Sequence, residues 1–167
     1  EEARLINRLA SWIYGQSAAQ RKAWYAHFPE ELVLGISLSR AQFAAPGLVD
    51  ELERVIQRYQ LQPAHLEVEV AETSLMYNID AAVKQIDRLR TLGVRVALDD
   101  FGAGDCSLRM LRDLPIDTLK LDRHLVARLP DSAVDAALAR SVLGLCAAYG
   151  ITGIAEGVGT PERMSGV

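Results

Sequence analysis

The stretch Leu92-Gly93-Val94-Arg95-Val96-Ala97-Leu98-Asp99-Asp100-Phe101-Gly102 decides the fold of this 167-residue chain. Its mostly apolar run from Val94 to Leu98 predicts a buried strand, and two adjacent carboxylates follow the run directly. The glycine after Phe101 lets the backbone turn closely beneath a bound ion or phosphate. We therefore interpret the stretch as a strand that delivers polar side chains to a site.

The same strand-then-helix unit recurs on both sides of this stretch. Predicted strands cover residues 32–36, 66–70, 94–98, 118–121 and 151–155, and two amphipathic stretches, 5–13 and about 17–28, predict helices at the start. Apolar residues at helical spacing lie between the strands. Five strands separated by helices predict an α/β fold with a parallel sheet. Two architectures share this unit: an open doubly wound sheet and a piece of a (β/α)8 barrel.

The bulk composition permits one globular domain and argues against several classes of protein. Half of the residues are hydrophobic (50%) and 24% are charged, so the chain can bury a core. The net charge of -4 makes a long nucleic acid a poor partner, while a small anionic ligand stays compatible if metal ions or local cations offset the charge.

Cysteine usage and hydropathy predict a cytoplasmic location. The two cysteines, Cys106 and Cys146, lack CxxC spacing, which argues against a zinc site and a disulfide scaffold and fits a reducing cytoplasm. The longest apolar run, 142–155, is interrupted by glycines and is shorter than the ~20 residues that a membrane helix requires. The opening Glu1-Glu2 does not resemble a signal peptide.

Carboxylates gather at the C-terminal ends of the predicted strands. They are Glu69 and Glu72 at the second strand, Asp99 and Asp100 at the third, Asp122 at the fourth and Glu156 at the fifth. Ligands of parallel α/β folds bind at this edge, so we expect Glu69, Asp99 and Glu156 to lie in one cluster. Converging carboxylates repel one another unless cations intervene, and such oxygen ligands suit Mg²⁺ or Mn²⁺. Any single one of these acids could instead be a helix N-cap or a solvated turn residue.

Lys120 lies inside the apolar fourth strand, in Leu119-Lys120-Leu121-Asp122. Burial of an ammonium group is costly unless it meets a negative partner. The alternative is a lysine at the rim of the sheet that reaches water. The acids on adjacent strands favour a functional role, in which Lys120 holds or polarises a water molecule against a phosphate.

Five segments, in order, resemble the EAL domain family, the bacterial cyclic-di-GMP phosphodiesterase fold. They are Ser37-Leu38-Ser39 with Gln42-Phe43 downstream, Glu69-Val70-Ala71-Glu72, Leu92 to Gly102, Leu119-Lys120-Leu121-Asp122-Arg123, and Ala155-Glu156-Gly157-Val158. The resemblance extends from Ser37 to Thr160. It implies a TIM-barrel-like (β/α)8 EAL fold that is incomplete in this chain, with residues 1–167 forming an EAL domain fragment that lacks the first strand and the C-terminal strands.

The resemblance also implies a ligand and a reaction. The ligand is cyclic di-GMP, and the reaction is hydrolysis of one phosphodiester to linear pGpG by a water activated by two divalent ions, Mg²⁺ or Mn²⁺. The implied metal ligands are Glu69, Asp99, Asp100 and Glu156. The implied catalytic residues are Lys120, which orients the water, and Glu72, which anchors the loop after Phe101. The implied substrate-binding residues are Ser37, Gly102, Asp122 and Arg123.

A family member of this kind is expected in a longer protein with attached sensory or GGDEF domains, with a homodimer as one option. Its location is then the cytoplasm, or the cytoplasmic part of a membrane-anchored protein. These expectations come from the resemblance alone.

Several positions depart from the family pattern. The name-giving Glu-Ala-Leu is absent from the chain, Ser37 stands where the family has a metal-binding Asn, and Gly159 stands where it has the second acid of Glu-Gly-Val-Glu. The loop usually written Gly-Thr-Gly-Tyr-Ser-Ser reads Gly-Ala-Gly-Asp-Cys-Ser at 102–107. These changes favour a degenerate domain that binds cyclic di-GMP or a protein partner with little hydrolysis. The alternative is an active metal-dependent phosphodiesterase whose missing ligand lies outside this chain.

Overall fold

A computed structural model describes residues 2–25, 27, 32–104, 108–129, 131–160 and 164. The strands are β1 (Leu34–Leu38), β2 (Leu66–Ala71), β3 (Arg95–Phe101), β4 (Thr118–Leu121) and β5 (Thr152–Ala155). The helices are α1 (Glu2–Tyr25), α2 (Arg40–Phe43), α3 (Leu48–Tyr59), α4 (Glu72–Met76), α5 (Ile79–Thr91), α6 (Leu108–Asp113), α7 (Arg123–Ala127) and α8 (Ala133–Tyr149), with a 3₁₀ turn at Pro63–His65.

The strands form a parallel sheet in the order β1-β2-β3-β4-β5. Leu34 of β1 pairs with Leu66 of β2, and Thr118 of β4 pairs with Thr152 of β5. Each strand lies beside the next strand in sequence, which is the order of a (β/α)8 barrel, whereas a doubly wound sheet reverses its order at a switch point. The predicted α/β class is confirmed, and the strand order selects the barrel type.

The chain divides into two compact units. The first comprises Glu1–Val70 and Ile79–Val96, and the second comprises Ala71–Asn78 and Ala97–Val167, so the division runs through β2 and β3. Within the first unit, α1 packs closely on α3. A Cβ atom added to Gly15 of α1 would lie 3.4 Å from the Tyr59 hydroxyl of α3. The prediction of two separate helices at the start is wrong: α1 is continuous, and Gly15 lies inside it at this close approach.

Side chains alternate between the two faces of the strands. On β2, Leu66, Val68 and Val70 are fully buried, while Glu67 and Glu69 occupy the other face. In the second unit, Leu119 and Leu121 of β4 are buried on one face, and Lys120 lies on the opposite one. Gly153 of β5 allows α8 to approach, since a Cβ atom there would lie 2.5 Å from Leu143 Cδ2. On both β2 and β4 the polar side chains therefore share one face of the strand.

Three strands end later than predicted, β2 by the single residue Ala71. β1 covers Leu34–Leu38 and β3 continues to Phe101, so Ser37, Asp99 and Asp100 lie within strands and not after them. Glu69 lies inside β2, within the predicted strand 66–70, and Glu72 is the first residue of α4. The predictions ended each strand with its apolar run, but backbone pairing, such as that of Ser37 with Glu69, continues past the run.

None of the helices in the described ranges is long and apolar enough to cross a membrane. Cys146 is a buried free thiol, and Cys106 lies outside the described residues. Burial raises the pKa of the Cys146 thiol, so this cysteine is a packing residue of α8 and not a reactive one.

Candidate functional site

Asp99 and Asp100 form a bulge at the carboxyl end of β3. The register with β4 slips between Leu98 and Phe101, so that both aspartates lie opposite the single residue Lys120. Asp100 adopts a left-handed conformation with φ of 55°, and its N–H donates to Asp99 Oδ1 at 2.9 Å. Bulges change the direction of side chains and occur next to active sites, and a left-handed non-glycine residue is a strained feature often found there. The bulge therefore marks this end of β3 as the candidate site.

Lys120 is the positive centre of a charged cluster in the second unit. Its Nζ lies 3.1 Å from Glu156 Oε1, and its side chain is only 14% exposed. Burial raises the pKa of Asp99, and the Glu156 and Asp100 carboxylates add to this rise, while Lys120 and the Asp100 N–H oppose it. The expectation that Lys120 meets a negative partner is confirmed. Asp99 of β3, Lys120 of β4 and Glu156, the residue after β5, thus belong to one electrostatic cluster.

Glu72 holds the loop that follows β3. Glu72 is only 1% exposed, and its Oε2 accepts hydrogen bonds from the N–H groups of Gly102 at 2.9 Å and Gly104 at 3.3 Å. A Cβ atom on Gly104 would lie 2.6 Å from Glu72 Oε1, and Gly102 has a φ of 100°. Both glycines are therefore required by the loop geometry. The family resemblance implied an anchoring role for Glu72; the two hydrogen bonds are compatible with that role, and its part in catalysis stays a prediction.

Asp122 caps the helix that follows β4. Its buried Oδ1 accepts a hydrogen bond from the His124 N–H at 2.7 Å and lies 2.9 Å from His124 Nδ1. Arg123 is exposed. A Cβ atom added to Gly157, the residue after Glu156, would lie 3.1 Å from the Arg123 Cβ atom. Sequence reasoning missed His124, although its position two residues after an N-cap aspartate was an available signal. The N-cap alternative holds for Asp122, and its contact with a ligand stays a prediction.

Ser37 and Glu69 meet across the first two strands. They pair in register, and Ser37 Oγ donates a hydrogen bond to Glu69 Oε2 at 2.8 Å. Gly35 also belongs to this arrangement, because a Cβ atom there would lie 2.3 Å from Glu69 Oε1. Sequence reasoning identified the two polar residues but missed Gly35. A glycine inside an apolar strand was the available signal, since it often marks a close approach.

The predicted metal site is not tested by the described residues. No group of three or more His, Cys, Asp or Glu side chains that could hold a metal ion occurs within the described part of the chain. Of the predicted ligands, Glu69 belongs to the first unit, and Asp99, Asp100 and Glu156 belong to the second. The assignment of these four as metal ligands, and the single cluster expected for Glu69, Asp99 and Glu156, stay predictions.

The family model of the EAL domain matches residues 1–166. The chain belongs to the EAL domain family. It is 33% identical over 161 residues to the cyclic di-GMP phosphodiesterase NbdA of Pseudomonas aeruginosa, covering 96% of this chain and 21% of NbdA. It is also 33% identical over 164 residues to the bifunctional diguanylate cyclase/cyclic di-GMP phosphodiesterase MucR of the same organism, covering 98% of this chain and 24% of MucR. This EAL chain thus spans less than a quarter of the length of either relative.

Solved EAL structures share the fold. The PaMucR phosphodiesterase in its c-di-GMP complex matches with a TM-score of 0.92 and 32% identity, over 99% of this chain and 67% of that chain. Klebsiella pneumoniae BlrP1, in a manganese and cyclic-di-GMP complex, matches with a TM-score of 0.80 and 31% identity, over 93% of this chain and 40% of that chain. The predicted family and TIM-barrel-like EAL fold are confirmed, and the chain covers part of the barrel.

Proposed function

We propose that this EAL domain binds cyclic di-GMP through the face that carries Asp99, Lys120 and Glu156, and hydrolyses it little or not at all. The observation that carries the proposal is the Lys120–Glu156 ion pair at 3.1 Å beside the bulge at Asp99 and Asp100. The PaMucR structure, which is a c-di-GMP complex at 32% identity, supports the choice of ligand.

The electrostatics of the cluster explain why an anionic ligand needs help from a cation. Lys120 is largely shielded from water, so its attraction to a phosphate is less screened than at the surface. Asp99 and Glu156 lie beside it and repel the same phosphate. A divalent ion would offset these carboxylates, and Mg²⁺ or Mn²⁺ is the proposed cofactor; the manganese complex of BlrP1 supports a divalent ion. We expect this ion to bind weakly, because Ser37 and Gly159 stand where the family has an amide ligand and an acid.

Little hydrolysis is proposed because the positions that complete the family site are altered. Ser37 replaces the family's amide ligand, and its hydroxyl is already hydrogen-bonded to Glu69. Gly159 carries no side chain where the family has an acid, and the loop change at 105–107 lies outside the described residues. Displacement of reacting groups by about 1 Å can reduce a rate about a hundredfold.

An active phosphodiesterase is the second candidate function. The Glu72 contacts with Gly102 and Gly104 favour it, because the loop after β3 is held as an active EAL domain would require. In that case a Glu-Ala-Leu segment in a longer protein supplies the ligand that these 167 residues lack.

Calorimetric titration of the protein with cyclic di-GMP, with and without Mn²⁺, tests the proposal. We expect binding that strengthens with Mn²⁺ and weakens in Lys120→Met, because the ammonium is replaced by a neutral side chain of similar length. Lys84→Met, an exposed position on α5, is the matched control and should bind as the parent does. Absence of heat with correctly folded protein would leave protein interaction as the function.

The setting of the domain is part of the same proposal. MucR, by its name, combines a diguanylate cyclase with a phosphodiesterase, which supports a longer protein in which sensory or GGDEF domains adjoin this one. A cyclic dinucleotide ligand and a buried free thiol support the cytoplasm as its location. Light scattering of the purified protein would establish whether it forms a homodimer.

A further inference from the structure

The Glu69 carboxylate lies over the neighbouring strand β1. Its Oε2 accepts the hydrogen bond from Ser37 Oγ at 2.8 Å. Its Oε1 occupies the space above Gly35, where a Cβ atom would be at 2.3 Å, with the carboxyl carbon at 3.1 Å. Both oxygens are thus located by β1 residues that alternate along one face of the strand.

Each of the two β1 residues contributes something that few other side chains could. A serine hydroxyl has a single hydrogen to donate, and here the Glu69 carboxylate receives it. Gly35 has no side chain and so leaves room for Glu69 Oε1. A Cβ atom at Gly35 would lie less than 3.0 Å from this oxygen, and the carboxylate would have to move. The φ of Gly35 is not positive, so its value to the fold is this space and not backbone freedom.

We propose that Gly35 and Ser37 are positioning residues that set the orientation of the Glu69 carboxylate. Ser37 then acts on the ligand through Glu69 and not by direct contact. The inference rests on the proposed function in one respect, namely that the domain binds cyclic di-GMP; that Glu69 acts on this ligand is part of the inference itself. The orientation of the carboxylate itself can be measured without any ligand.

The first measurement is the carboxyl ¹³C chemical shift of Glu69 in the ligand-free, isotope-labelled protein. We expect this signal to shift in Ser37→Ala, which removes the donor, and in Gly35→Ala, which fills the space under Oε1. Ser37→Thr keeps the hydroxyl and should retain the parent signal. Ser39→Ala is the matched control, because this serine lies on the same chain segment but caps α2 through the Gln42 N–H. An unchanged Glu69 signal in both alanine variants overturns the inference.

The second measurement is the affinity for cyclic di-GMP. Loss of a hydrogen bond to a charged group should weaken binding about tenfold in Ser37→Ala, with recovery in Ser37→Thr. Weaker binding in Ser37→Ala with an unshifted Glu69 signal would mean direct contact by Ser37 and contradict the inference. If the parent protein does not bind the dinucleotide, the proposed function fails, while the chemical shifts still decide whether Gly35 and Ser37 orient Glu69.

Discussion

The Glu72 carboxylate accepts a hydrogen bond from the backbone N–H of Gly102 at 2.9 Å, although the two residues are 30 positions apart in sequence. A second hydrogen bond, from the Gly104 N–H at 3.3 Å, reaches the same oxygen. A buried carboxylate on α4 therefore fixes the conformation of the loop at the carboxyl end of β3. The Glu72 side chain thus connects α4 to the backbone of Gly102 and Gly104, next to the candidate site.

Removal of the Glu72 carboxylate should unfold this loop and destabilise the protein. Hydrogen bonds to charged groups contribute about 1.5–3 kcal/mol, and unsatisfied buried N–H groups add a further cost, so Glu72→Ala should lose about 3 kcal/mol of unfolding free energy. Glu72→Gln, which keeps one acceptor oxygen, should lose about 1 kcal/mol. Urea denaturation measures both variants.

Glu53→Ala is the matched control for this loss. Glu53 is an exposed glutamate on α3, and its substitution should change the unfolding free energy by less than about 0.5 kcal/mol. Equal stability of Glu72→Ala and Glu53→Ala would show that the loop does not depend on Glu72.

The fold was predictable because buried parallel strands leave a strong signal in sequence. Runs such as Val94 to Leu98 are apolar and short, and the five runs alternate with helical patterns, which specifies a βα repeat. The charged positions Asp99, Lys120 and Glu156 were also found, because acids and a lysine that interrupt or end apolar runs stand out. Their electrostatic coupling follows from the parallel order of the strands.

The remaining features depend on contacts that local sequence does not encode. The bulge at Asp100 arises from register with β4, and nothing in the local sequence specifies its φ of 55°. The packing of Glu69 above Gly35 joins two strands, so it is visible only in three dimensions. The anchoring role of Glu72 was reached through the family resemblance and not from its neighbours in the chain.

Lys120→Met should raise the pKa of Asp99 further above its ordinary value of 3.8, because the ammonium opposes the effect of burial. The pKa of Asp99 is higher in the folded state, so its favourable contribution to stability is complete below the ordinary pKa. That contribution is lost as pH rises through the folded-state pKa. In the variant, the loss should extend to higher pH.

A pH titration of the Asp99 carboxyl ¹³C signal measures this change. Lys84→Met removes an exposed lysine of α5 and should leave the Asp99 midpoint where it is in the parent. A midpoint that stays constant in Lys120→Met would show that Lys120 and Asp99 are not electrostatically coupled.

Two glycine-to-alanine substitutions in the second unit should have opposite effects on the stability of the protein. Gly157 has a φ of 77°, and a Cβ atom there would lie 3.1 Å from Arg123 Cβ, so Gly157→Ala should destabilise the protein by about 1–2 kcal/mol. Gly144 lies inside α8, and a Cβ atom there would meet nothing within 4 Å, so Gly144→Ala should stabilise the protein by about 0.5–1 kcal/mol. Thermal and urea unfolding would measure both, and a shared sign would contradict the geometry.

Purified protein should convert cyclic di-GMP to pGpG very slowly or not at all in the presence of Mg²⁺ or Mn²⁺. Two ions must be held about 4 Å apart for an in-line displacement, and a missing ligand misplaces the attacking water. Ser37 donates to Glu69 where the family supplies an amide, and Gly159 has no acid to contribute. Chromatographic detection of pGpG decides the matter, with Lys120→Met as the control for contaminating activity. Robust turnover that Lys120→Met abolishes would establish an active phosphodiesterase. A gain of activity in the double variant Ser37→Asn, Gly159→Glu would show that the residues at these two positions limit hydrolysis.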